Sequence, residues 1–160
     1  MFWRILAVAV AWPLAVAHAF DWQPYRNERF GFALIYPADT FEIERTSQQQ
    51  DGRVFVSRDG SSRLLVGAFA NESRHTPASY QEFIARQSYS NFDISYTRRG
   101  NTWFVLSGER DGRMFYEKVM FSCGGRVINS FAMVYPSAQR RTFDPIVERI
   151  EDSFRAGGVD

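Results

Sequence analysis

The chain is poor in the residues that most catalytic and metal sites require. It has one cysteine, Cys123, and two histidines, His18 and His75. An internal disulfide is therefore excluded, and a zinc site, which draws three or four ligands mainly from His and Cys, is not expected. A Ser-His-Asp arrangement is not expected either, because no Gly-x-Ser-x-Gly elbow is present. We interpret His75 as a solvated residue before a helix, and Cys123 as a small buried hydrophobic residue.

Motifs for bound cofactors are missing as well. The chain contains no Asp-x-Asp-x-Asp-Gly loop for calcium, no glycine-rich phosphate loop and no dinucleotide fingerprint. The sequence therefore predicts no metal and no organic cofactor. Two carboxylates brought together by the fold would leave no such motif, so a carboxylate site stays open. Glu148, Glu151 and Asp152 are interpreted as the solvated face of a helix.

The chain also lacks an apolar run long enough to span a membrane. Residues 5–16 are apolar but include Pro13, and a spanning helix needs about 20 apolar residues. With Arg4 before this run and Ala17-His18-Ala19 after it, the segment has the pattern of a cleaved secretory signal. We therefore predict a signal peptide over residues 1–19, one domain over residues 20–160 without a membrane anchor, and a periplasmic or secreted location.

Neither sign of charge is in excess. Once Arg4 leaves with the signal, 18 basic and 18 acidic residues remain. Such a balance gives no general attraction to nucleic acid or to anionic membranes, so a nucleic-acid partner is not expected. The 15 phenylalanines and seven tyrosines predict a well-packed core instead.

What the sequence does contain is a series of strand-length runs separated by turn dipeptides. The last four runs are joined by tight turns, which predicts an antiparallel meander. The seven runs cover residues 32–36, 53–57, 63–69, 93–98, 102–108, 113–122 and 126–135. Residues 103–106 are apolar on both faces of a strand, so we expect helices on both sides of the sheet.

Two amphipathic helices are available for that purpose. The first is predicted to begin with Thr76 as N-cap and Pro77 at its first position. The second is predicted to start at Asp144-Pro145, and the three residues 156–158 after it are expected to fray. The apolar positions of this second helix recur at helical spacing: Phe143, Ile146, Val147, Ile150 and Phe154. The predicted fold class is α+β, an antiparallel meander with helices packed on it.

Three segments of the chain are similar to PsbP-like domains. They are Arg29-Phe30-Gly31-Phe32 leading to residues 36–41, residues 103–108 followed by residues 115–118, and Tyr135-Pro136 with residues 145–154. The resemblance implies an α/β/α sandwich with an antiparallel sheet. It implies no activity, because proteins of this family serve as accessory and assembly modules and the matching motifs are structural.

One group of basic residues is a candidate partner-binding site. In a four-strand meander alternate turns lie at the same end, so the turns at Gly100-Asn101 and Gly124-Gly125 should be neighbours. Arg98, Arg99 and Arg126 flank these turns, and together they predict a cationic rim that suits an acidic partner.

The sequence thus favours a non-catalytic exported domain that binds an unknown protein or peptidic partner. Two alternatives remain open at this point. One is an enzyme with an unmarked carboxylate or arginine site, which would show a cleft with a desolvated carboxylate. The other is a carrier of a small ligand or lipid, which would need an apolar cleft between helix and sheet.

Overall fold

The structure is a computed structural model that describes residues 19–158, so the predicted signal peptide, apart from Ala19, lies outside the described residues. Residues 19–158 form nine β-strands and two α-helices. The elements are β1 Trp22–Arg26, β2 Ala33–Pro37, β3 Phe41–Thr46, β4 Gly52–Ser57, β5 Arg63–Ala70, α1 Pro77–Gln87, β6 Asp93–Arg99, β7 Trp103–Arg110, β8 Arg113–Ser122, β9 Val127–Pro136 and α2 Arg140–Ser153, with a 3-10 turn at Ser137–Gln139 before α2.

Seven strands form one antiparallel sheet in the order β3-β4-β5-β9-β8-β7-β6. The predicted antiparallel meander of β6 to β9 is confirmed. Strand β5 extends the sheet by pairing with the other edge of β9. At the β7–β8 turn, Asp111 and Gly112 both have positive φ, 49° and 73°, as a two-residue hairpin requires. A turn dipeptide in the sequence also suggests positive φ at Gly100, but Gly100 does not have it. Strands β1 and β3 were not predicted at all.

One face of the sheet, the α2 face, is covered by α2 together with the separate hairpin β1–β2. Helix α2 buries Phe143, Ile146, Val147 and Ile150 against this face. The helix begins at Arg140, four residues before the predicted start, and Pro145 lies inside it. Burial of Phe143 explains the difference, because the residues before the proline must be helical to place that ring in the core.

The other face, the α1 face, carries a second core beneath α1. Thr76 caps the helix as predicted: its hydroxyl accepts a hydrogen bond from the Ser79 backbone N–H, and Pro77 is the first helical residue. Ile84 packs with Phe104 and Leu106 of β7. Val105, which lies between Phe104 and Leu106 and points to the opposite face, is also buried. The prediction that β7 is covered on both sides is therefore confirmed.

The segment after α2 is held in place, which contradicts the expectation that it frays. The Gly157 backbone N–H donates to Asn129 Oδ1 at 3.0 Å, and the Gly158 N–H donates to the Phe30 carbonyl at 2.7 Å. A Cβ atom on Gly157 would lie 2.0 Å from the Phe30 carbonyl oxygen. The segment needs glycine at this position to approach the backbone of the β1–β2 hairpin.

We expect Gly157→Ala to lower the free energy of unfolding by about 2 kcal/mol or more, because the backbone must move to relieve this contact. Urea unfolding measures the effect. Gly67→Ala is the matched control, since the nearest atom to its Cβ would be the Asp51 carbonyl oxygen at an ordinary 3.5 Å. Equal stability of Gly157→Ala and wild type would contradict the docking of this segment.

Candidate functional site

Helix α1 leaves part of its sheet face bare. Leu65, Gly67 and Phe69 point to this face from β5, and Leu65 and Phe69 are 40% and 41% exposed. Phe83 of α1, which the sequence places on the buried side of the helix, is 43% exposed. Apolar side chains with such exposure form a continuous apolar strip along β5 beside the helix.

A pocket of about 420 Å³ opens on the bare part of the α1 face. The sheet carries small residues at the pocket: Gly52 of β4 lies directly opposite Gly67 of β5, and Gly67 lies opposite Ser130 of β9. Its lining residues come from six different segments: Arg45, Ser47, Gly52, Arg53, Val54, Leu65, Val66, Gly67, Ser88, Tyr89, Glu117, Ser130 and Ala132.

Glu117 of β8, next to the central strand β9, is the acidic residue in this pocket. Its Oε2 accepts a hydrogen bond of 2.6 Å from the Tyr89 hydroxyl. The Tyr89 ring is fixed by stacking on Phe115, with ring centroids 3.7 Å apart, and by an edge contact with Phe92. Because Tyr89 follows α1 directly, the helix and the aromatic stack together determine where the carboxylate points.

The surroundings of Glu117 oppose ionisation. Its cross-strand neighbours are Leu106 and Ala132, and no basic side chain in residues 19–158 forms an ion pair with it. Burial raises the pKa of the Glu117 carboxyl to about 7, although the hydrogen bond from Tyr89 lowers it. Burial and the nearby Glu117 also raise the pKa of Tyr89 above its ordinary value. This is the desolvated carboxylate in a cleft that the enzyme alternative requires.

Sequence reasoning missed Glu117 as a functional residue, although a signal was present. In the correctly predicted strand β8, alternate residues share a face, and those beside Glu117 are Phe115, Val119 and Phe121. An acidic residue within a row of buried apolar residues is rarely tolerated without a partner. The pattern alone therefore marks Glu117 as unusual.

A second pocket, of about 610 Å³, lies at the end of the sheet where α1 begins. The turns at Asn101-Thr102 and Gly124-Gly125 both line it, so the two turns do share an end as predicted. Arg74, His75 and Arg126 line the same pocket. We call this the cationic end.

The predicted rim residues Arg98, Arg99 and Arg126 are all exposed, but they do not share one face. Arg99 lies on the α1 face, where its Nη1 donates to Gln81 Oε1 at 3.1 Å. Arg126 lies at the cationic end and donates to the Cys123 carbonyl. Arg98, next to Arg99 in β6, points to the α2 face. None of the three is paired with a carboxylate in the described part of the chain.

Aromatic side chains lie beside the cationic end. The Tyr80 ring contacts Phe69 and Phe83, with centroids 6.0 and 5.9 Å away. His75 precedes the helix as predicted, and its ring is half-buried against Tyr80 and Phe83, with Nδ1 3.2 Å from the Ser79 hydroxyl oxygen. The aromatic cluster and the arginines form one surface.

The acidic residues of α2 and Cys123 were also considered from the sequence, and the structure shows where each lies. Glu148 and Asp152 are exposed as expected. Glu151 instead binds Lys118 Nζ at 2.9 Å and the Tyr116 hydroxyl, so it was wrongly placed on a solvated face. Cys123 is half-buried at the edge of the α2-face core.

The described residues form neither a metal-ion cluster nor a helix suited to a membrane span. Residues 19–158 contain no group of three or more His, Cys, Asp or Glu side chains that could hold a metal ion. In the same range no helix has the length and apolarity needed to cross a membrane.

Comparison with solved structures shows that the chain has a PsbP-like fold. The solution structure of cyanobacterial PsbP (CyanoP) from Synechocystis sp. PCC 6803 is similar, with a TM-score of 0.63 and 12% identity, over 89% of this chain and 96% of that chain. The Ran-binding protein Mog1p from Saccharomyces cerevisiae has a TM-score of 0.62 and 9% identity, over 88% of this chain and 97% of its own. No protein-family model matches the chain, and no curated protein matches it.

Replacing Glu117 by glutamine should remove a pH-dependent cost of folding. The pKa of Glu117 is raised from 4.5 to about 7 in the folded state, so stability is lost as the pH rises between these values. We therefore expect Glu117→Gln to gain about 3 kcal/mol over wild type between about pH 4 and pH 8. Urea unfolding of both proteins at each pH measures this gain.

Glu28→Gln is the matched control, because Glu28 is exposed. Its stability relative to wild type should change little over the same pH range. A constant difference between Glu117→Gln and wild type at all pH values would show that the carboxylate is solvated.

Proposed function

We propose that the mature chain is an exported, non-catalytic accessory domain that binds a protein partner across its α1 face. The observation that carries this proposal is the surface formed by the aromatic cluster and the cationic end. Phe69 and Phe83 are exposed there beside Arg74 and Arg126. Exposed aromatic residues and arginines are the residue types most enriched at the energetic centres of protein interfaces.

The fold is compatible with such a role. Mog1p, a protein of similar fold, is a Ran-binding protein, so a domain of this architecture can bind another protein. Arginines without carboxylate partners suit an acidic surface on the partner, because charge complementarity accelerates encounter and suppresses wrong partners. The export part of the proposal depends on the signal pattern of residues 1–19.

Glu117 does not by itself make the pocket an active site. A general acid or base needs a second group that acts on the substrate. The hydroxyl that donates a hydrogen bond to Glu117 belongs to Tyr89, and its pKa is raised above the ordinary tyrosine value. The hydroxyl therefore stays protonated, and a protonated phenol is a poor nucleophile and a poor base. Ser88 and Ser130 line the pocket without a hydrogen bond to a basic side chain within the described residues. We therefore assign the pocket to binding.

Reversing the charge of Arg99 on the α1 face and of Arg126 at the cationic end should weaken binding without unfolding the protein. The partner is first recovered by crosslinking to the wild-type chain in the periplasm of its native host, and its Kd is then measured at low and high salt. We expect Arg99→Glu with Arg126→Glu to raise Kd by about tenfold or more, and salt to weaken wild-type binding. Exposed charges shift stability by less than about 0.5 kcal/mol, so the melting temperature should barely change.

Arg58→Glu with Arg113→Glu is the matched control, because both arginines are exposed and lie away from the cationic end. This pair should leave Kd within about twofold of wild type. Equal weakening by both pairs would indicate attraction by overall charge. A wild-type chain that enriches no protein over the reversed variant would contradict the proposed function.

A further inference from the structure

The Glu117 carboxylate has one oxygen without a partner. Oε2 accepts the hydrogen bond from Tyr89, whereas no hydrogen bond or ion pair to Oε1 is found among residues 19–158. No buried side-chain nitrogen or oxygen in residues 19–158 lacks a hydrogen-bond partner, so Oε1, which has none, is open to the pocket. The pocket around Glu117 therefore offers one strong acceptor to a group from outside.

Few charged groups compete for that acceptor. Tyr80 of α1 and Tyr89, which follows the helix, face Glu117, and both have raised pKa values, so they are neutral. Arg45 of β3 is exposed at the mouth of the pocket, where water screens its charge. The Arg53 guanidinium is turned away and lies 4.9 Å from the centre of the Tyr25 ring on the α2 face.

We propose that this pocket receives a lysine side chain of the protein partner, whose ammonium group binds Glu117 Oε1. The inference rests on the proposed function and names the residue that would anchor the partner next to the apolar strip of β5. The shape of the site fits this occupant. Leu65 and Val54 offer apolar walls to a methylene chain, and Glu117 lines the same pocket.

The chemistry of the carboxylate favours lysine over arginine. A guanidinium group binds a carboxylate best through two parallel hydrogen bonds, one to each oxygen. Tyr89 already occupies Oε2 of Glu117, so a bidentate pair cannot form without breaking a 2.6 Å hydrogen bond. An ammonium group is a compact charge that needs only the remaining oxygen.

Binding of an ammonium group should be linked to a proton. Burial holds the pKa of Glu117 at about 7 in the free protein, and a cation at Oε1 favours the ionised form. A lysine entering near neutral pH therefore releases a proton from Glu117. The affinity should rise from about pH 6 to pH 8 and level off above that, the reverse of what a hydrogen bond to the neutral acid would give.

The test is a titration of the full mature chain with n-pentylammonium chloride, which reproduces a lysine side chain, followed by amide NMR shifts. We expect saturable shifts at Gly67, Ser88 and Ala132 with a Kd on the order of millimolar, as small ligands allow. The neutral analogue 1-pentanol should bind at least about tenfold more weakly, and lowering the pH from about 8 to 6 should weaken n-pentylammonium by a similar factor.

Glu117→Gln should lose about tenfold or more of the affinity for n-pentylammonium, whereas Glu148→Gln, an exposed carboxylate on α2, should bind like wild type. Equal binding of both probes, equal binding by Glu117→Gln, or no saturable shift at these amides would overturn the inference. The titration uses no protein partner, so its failure is distinct from a failure of the proposed function. The latter is judged by the partner's response to reversal of Arg99 and Arg126.

Discussion

The constraint on which the molecule depends is that a seven-stranded sheet has two apolar faces, whereas the chain covers them unequally. The α2 face receives a 14-residue helix and the β1–β2 hairpin. The α1 face receives a helix of 11 residues. One short helix cannot shield a wide sheet, because an element buries only the area directly beneath it. The strip along β5 and the Glu117 pocket lie on the part of the α1 face that residues 19–158 leave open.

The two faces of the sheet each contain one half-buried acidic residue, and the two residues differ in their partners. On the α2 face, Glu151 binds Lys118, the only lysine of the chain, and accepts a hydrogen bond from Tyr116. On the α1 face, Glu117 has the Tyr89 hydroxyl and no cation within the described residues. The ion pair compensates the cost of burying Glu151, whereas a partly buried acid without a cation raises the free energy of the folded state.

Much of the fold could be predicted from local pattern, and the errors have physical causes. The meander followed from turn dipeptides between alternating strands, and the N-cap at Thr76 followed from capping chemistry. Strand β3 was missed because its pattern is interrupted by a bulge between Ile43 and Arg45. The docked segment at Gly157 depends on contacts with residues more than 100 positions away, which no local pattern contains. The site depends on such contacts too: Tyr89 and Glu117 are 28 residues apart.

The central claim is that Glu117 is a half-buried, poorly solvated carboxylate without a cation partner among residues 19–158. It is tested most directly by following the side-chain carboxyl ¹³C shift of Glu117 against pH by NMR, with Glu117→Gln used to assign the resonance. The account predicts a midpoint near pH 7, because burial raises this pKa to about 7. A midpoint close to 4.5, the value of an unperturbed glutamate, would show that water reaches the carboxylate freely and would contradict the account.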